Sequence, residues 1–82
     1  MEADNVDRPM HYEGDGEVDA HRAITSMLAG YDAAGASAEV SWWCAGAFKY
    51  VWRAPLKGGA EDIRKARRCL EFALAAMGAD EW

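Results

Sequence analysis

The sequence predicts an all-α fold, a small three-helix bundle with an extended N-terminal arm, and three observations carry the prediction. Apolar residues recur at helical rather than alternating spacing in three segments. Start and stop residues mark the segments: Asp19 and Gly30 bracket the first, Ser37 and Pro55 the second, and the third follows the turn Leu56-Lys57-Gly58-Gly59 and is closed by Gly78. No stretch carries the period-two pattern of a half-buried strand. The expected organisation is an arm over residues 1–18, one helical domain over 19–78, and a tail over 79–82.

In chain order, the lead from Met1 to Gly16 holds Pro9 and the pair Gly14 and Gly16, which oppose a stable helix. His11 and Tyr12 are its large ring side chains and its natural anchors. The first helix is expected over Asp19 to Ala29, with Asp19 as N-cap, Gly30 as stop, and Ala20, Ala23, Ile24, Met27 and Leu28 as its apolar stripe. The connection from Tyr31 to Ala36 has room for one extra turn. Ser37 caps the central helix, Glu39 sits in its first turn, and Pro55 ends it just after Arg53. The third helix is expected over Ala60 to Met77, with Ile63, Ala66, Leu70, Ala73 and Met77 facing inward and Glu61 placed to pair with Lys65.

The chemistry centres on the second helix. Val40, Trp43, Cys44, Ala47, Phe48 and Val51 trace an apolar stripe. On the other side Lys49 and Arg53 stand four residues apart, with Gly46 and Trp42 one and two turns earlier. The expectation is a solvent-facing side with two cations, an indole and a bare backbone patch, suited to an anion.

Charge distribution agrees. The net charge is −5, yet residues 1–40 hold nine acids and two bases, while residues 49–68 hold seven bases and two acids. An acidic first half would repel a long polyanion, so a small phosphorylated ligand fits better than nucleic acid. The turn Lys57-Gly58-Gly59 ahead of the third helix is a weak phosphate cradle, since Glu61 and Asp62 follow it, and the P-loop spacing is missing.

Cys44 and Cys69 fall on apolar stripes and read as buried free thiols in a reducing compartment; no paired metal-ligand spacing is present. No run has the length of a membrane span, and an acidic start, Met1-Glu2-Ala3-Asp4, is unlike a secretory signal, so a cytosolic protein is expected. Eighty-two residues, 51% apolar with four Trp, suit a fold that leaves apolar surface for a second copy of itself.

Four ordered blocks then come into view: Pro9-x-His11-Tyr12, Val18-Asp19, Lys49-Tyr50-x-x-Arg53 and Asp62-x-x-Lys65-Ala66. Together, over about Asp4 to Leu74, they resemble the SaV-like family of small phage proteins, related to the C-terminal part of the T7-type phage nucleotide kinase. The resemblance implies a phage protein in the host bacterial cytoplasm that binds nucleotides. At its furthest it implies a deoxynucleoside monophosphate kinase without a P-loop. The family usually carries Asn where this chain has Gly46, and Gly offers only closer backbone approach, which favours binding over turnover.

In the enzyme reading, His11 and Asp19 are the catalytic candidates for proton handling. Lys49, Arg53, Lys57 and Lys65 hold phosphate, and Tyr12 and Trp42 offer stacking surfaces, with Gly46, Tyr50 and Asp62 completing the ligand-binding set. No cofactor is built in; ATP is the implied donor, and Mg²⁺ arrives only with the nucleotide. The alternative is a non-catalytic accessory protein that binds a nucleotide or signalling phosphate, or that inhibits a host protein through its apolar surface. The expected partners are a small phosphorylated ligand and further copies of the chain, with neither nucleic acid nor membrane.

Overall fold

In the computed structural model, described here over residues 12–78, three α-helices follow one another: α1 (Ala20–Ala33), α2 (Ala38–Arg53) and α3 (Ala60–Ala76). A 3₁₀ turn over Ala54–Leu56 follows α2 directly. No strand occurs among the described residues. The arm over residues 1–18 lies largely outside them. Its described end turns rather than running straight: the Gly16 amide donates to the Glu13 carbonyl, and Asp15 Oδ1 accepts from the amides of Glu17 and Val18.

Local chemistry sets each helix end. Asp19 Oδ1 accepts from the Arg22 amide at 2.8 Å and Ser37 Oγ from the Val40 amide at 3.1 Å, so both expected N-caps hold. Gly30 does not stop α1, which runs a further turn to Ala33. The stop is Gly35, whose φ of 82° suits a residue without Cβ. Its amide donates to the Asp32 carbonyl and the next amide, of Ala36, reaches back to Tyr31, the paired bonds of a Schellman ending. Gly78, with φ of 74°, closes α3 as expected. Pro55 ends α2 through the intervening 3₁₀ turn.

The core is built from small residues. Val40 and the alanines Ala20, Ala47, Ala54, Ala66 and Ala73 are buried, and among the described residues the largest fully buried side chain is that of Asp62, 1% exposed. Alanine rows let α2 and α3 approach closely, so these two helices form the main packed pair, while α1 leans on α2 and barely meets α3. Aromatic rings flank the core: Trp43 stacks on Phe72 with centroids 4.6 Å apart, and Phe48 on Trp52 at 5.6 Å.

Both expected apolar stripes are rotated from their observed positions. On α3 the inward row is Asp62, Ala66, Cys69 and Ala73, whereas Ile63, Leu70 and Met77 stand 50%, 47% and 63% exposed. On α2, Val40 and Ala47 are buried but Val51 is 54% exposed, and Gly46 and Arg53 face α3 rather than water. One buried ion pair and close-packed alanines outweigh the burial of larger side chains in orienting these helices.

Candidate anion-binding groove

Two adjoining arrangements join α2 to α3. The first is a clamp. Arg53 Nε donates to Asp62 Oδ2 at 3.0 Å, and its Nη2 donates to Oδ1 at 3.3 Å. The Gly58 amide donates to the same carboxylate at 3.1 Å, and Arg53 Nη1 donates to the Tyr12 hydroxyl at 3.3 Å. Hydrogen bonding from Arg53 holds the Asp62 carboxyl below the usual carboxylate range, and Asp62 in turn raises the guanidinium pKa. A Cβ on Gly58 would stand 2.3 Å from Asp62 Cγ, so that turn position takes no side chain.

The second arrangement is a shallow groove of about 230 Å³ lined by Trp42, Trp43, Ala45, Gly46, Lys49, Tyr50 and Cys69. Its floor exists because Gly46 has no side chain: a Cβ there would lie 3.3 Å from Cys69 Sγ. Burial pushes the Cys69 thiol pKa up, so the floor is neutral. Trp42 is 71% exposed beside it. Lys49 is exposed and forms no ion pair among the described residues. Arg53 Cζ lies 5.1 Å and Lys65 Nζ 5.7 Å from the Tyr50 ring centroid, and Arg68 Cζ lies 4.3 Å from that of Phe72. The groove thus combines a flat aromatic wall, a bare backbone patch and a cationic rim.

The expected site residues divide accordingly. Trp42, Gly46, Lys49 and Tyr50 line the groove, and Lys65 joins it through Tyr50. Arg53 and Asp62 do not offer themselves to a ligand, because they satisfy each other inside the fold; the expectation that Lys49 and Arg53 meet solvent together is corrected on that ground. The Tyr12 hydroxyl is held by Arg53. Lys57 is exposed in the turn, but the neighbouring Gly58 amide is spent on Asp62, which removes the turn as a phosphate cradle. Asp19 is occupied as the α1 cap. His11 lies outside the described residues. Lys65 contacts Tyr50, and Glu61 pairs instead with Arg64 at 3.5 Å.

Trp43 and Cys69 were expected in the core and prove to line the groove. The signal for Cys69 was its place opposite a helical glycine, which becomes visible only once the register between α2 and α3 is known. Among the described residues no cluster of three or more His, Cys, Asp or Glu side chains is arranged to hold a metal ion, and no helix is long and apolar enough to cross a membrane.

Comparison with known proteins gives one family: a profile described as a protein of unknown function, DUF3310, matches residues 6–71. No curated protein and no solved structure gave a match.

Proposed function

The chain belongs to the DUF3310 family, and from that premise we propose that it binds a nucleoside phosphate in the groove between α2 and α3, as a phage protein acting in the cytoplasm of a bacterial host. The observation that carries the reading is the Lys49 ammonium, exposed and without an ion pair among the described residues, on the same groove as the exposed indole of Trp42. Lys49 meets a phosphate as a point charge, and Lys65 adds positive potential along the rim, whereas Arg68 is paired with Glu71 at 2.6 Å. Trp42 offers a base a broad apolar face, and the Gly46 backbone lets the ligand approach closely. A groove of about 230 Å³ takes a phosphate or a single ring, leaving the rest of a nucleotide across the surface.

This geometry favours holding a nucleotide over reacting it. A shallow groove does not exclude water, and Asp19 is engaged as a helix cap. The four blocks that resemble the SaV-like phage proteins, and through them the phage nucleotide kinase, support a nucleotide as the ligand. Two of those blocks, Lys49-Tyr50-x-x-Arg53 and Asp62-x-x-Lys65, contribute both the clamp and the groove.

Titration of deoxynucleoside mono- and triphosphates, read by calorimetry, tests the proposal. Lys49→Ala should weaken binding by about 10- to 100-fold, the loss of one charge-assisted contact. Affinities unchanged in both Lys49→Ala and Trp42→Ala would sink the groove as the site. Incubation with ATP and each monophosphate, followed by separation of products, distinguishes a binder from a kinase: diphosphate formed by the wild type and lost in Lys49→Ala would replace the binding reading with the kinase.

A further inference from the structure

The loop over residues 12–18 is fastened to α2 at two points. Gly14, with φ of 63°, faces the Trp52 ring so closely that an added Cβ would lie 2.8 Å from Cζ2 and 2.7 Å from the Val18 carbonyl oxygen. Only glycine fits there. Trp52 in turn stacks on Phe48, one turn earlier on α2. Two residues before Gly14, the Tyr12 hydroxyl accepts from Arg53 Nη1 at 3.3 Å. At the other end of the loop Arg22 Nη1 donates to the Glu17 carbonyl at 2.8 Å, and Asp15 holds the amides of Glu17 and Val18. The loop therefore keeps its shape between α1 and the last turn of α2.

Arg53 is where this loop meets the groove. Asp62 takes its Nε and Nη2, which fixes the plane of the guanidinium, and Tyr12 takes its Nη1. The Asp62 carboxylate is already answered by those two bonds and by the Gly58 amide, so the ion pair itself does not require Tyr12. The tyrosine instead secures the guanidinium whose Cζ stands 5.1 Å from the centroid of the Tyr50 ring, one turn earlier on α2. That ring has Lys65 Nζ 5.7 Å from its centroid and lines the groove beside Lys49. A continuous line of contacts thus runs from the loop through Tyr12, Arg53 and Tyr50 to the groove.

We propose that Tyr12 and Arg53 are positioning residues for the groove: the loop over residues 12–18 holds the Arg53 guanidinium, and the guanidinium holds the Tyr50 ring as the wall on which the ligand rests. The ligand half of this inference rests on the nucleoside-phosphate reading above; the wall half does not. Coupling of this kind is reciprocal, so a ligand in the groove also tightens the loop.

Two substitutions in the full chain test it, with helical circular dichroism recorded for each. Tyr12→Phe keeps the ring and removes the hydroxyl, while Gly14→Ala drives a methyl group into Trp52 without touching Arg53. Nuclear magnetic resonance without ligand reads the wall. Both substitutions should shift the Tyr50 ring and Arg53 Nε–H resonances and leave those of Tyr31, near the far end of α1, in place. Calorimetric titration of a deoxynucleoside monophosphate reads the ligand: each substitution should weaken binding roughly fivefold or more, and saturating nucleotide should move the Tyr12 ring resonances of the wild type. A role confined to stability would lower the melting midpoint while leaving the Tyr50 resonances and the affinity as they were, and that result overturns the proposal. Shifted Tyr50 resonances with unchanged affinity overturn it as well. A wild type that takes up no nucleotide removes the nucleoside-phosphate reading instead, and the ligand-free Tyr50 shifts then decide the positioning claim by themselves. Should Gly14→Ala not fold, Tyr12→Phe decides alone.

Discussion

Arg53 in the last turn of α2 and Asp62 in the first turn of α3 grip each other through two hydrogen bonds, of 3.0 and 3.3 Å, with the Asp62 side chain almost wholly withdrawn from solvent. Such a pair is costly to break because removing either partner strands a buried charge. It fixes the angle of α3, and through that angle decides which residues meet α2.

Asp62→Asn should therefore lower the melting midpoint by roughly 10 °C or more, read by circular dichroism. The pH dependence has a definite sign. A carboxyl whose folded pKa is depressed stabilises above its unfolded value and loses that contribution as pH falls through the folded value. The wild type should keep its midpoint from neutrality down to about pH 4 and lose it below, while Asp62→Asn should show a shallower acid limb. Parallel acid limbs in the two proteins would refute the clamp.

Gly58→Ala places a Cβ 2.3 Å from Asp62 Cγ. The turn or the carboxylate must move, at a cost of about 1–3 kcal/mol in chemical denaturation. A variant as stable as the wild type would show that the turn has slack the geometry does not display.

Gly46 presents a milder case. An added methyl would meet Cys69 Sγ at 3.3 Å, while alanine gains about 1 kcal/mol of helix propensity over glycine, so Gly46→Ala should be nearly neutral in stability. Gly46→Leu should instead fill the groove and weaken nucleotide binding more than tenfold with helicity retained, a loss of roughly 1.4 kcal/mol or more. Undiminished binding in a folded Gly46→Leu protein would place the ligand elsewhere.

Cys69 reports on the groove directly. Burial raises its thiol pKa, so in a Cys44→Ser background an aromatic disulfide reagent at mildly alkaline pH should react more slowly than with an unhindered thiol. A bound nucleoside phosphate should slow it further. The raised value also means that this group's share of stability falls as pH climbs past the unfolded thiol pKa, about 8.5. Fast reaction, unchanged by ligand, would contradict a covered thiol at the groove floor.

The helices were legible because capping and periodicity are local: Asp19, Ser37 and Gly78 each do what their residue type does at a helix end. Gly30 was misleading because the paired backbone bonds around Gly35 offered a better ending one turn later. The facing of α2 and α3 was not legible. Hydrophobicity assigns Ile63 and Leu70 to the interior, but the hydrogen bonds that Arg53 donates to Asp62 and the close approach of alanines are properties of two helices together, and neither segment encodes them alone. The groove was half legible for the same reason: Trp42, Gly46 and Lys49 lie on one helix, whereas Cys69 arrives from the other.

The light attachment of α1 bears on how the molecule opens. A helix that leans on one neighbour can detach while the α2–α3 hairpin stays folded, so its amides should exchange with solvent deuterium well before those of the hairpin.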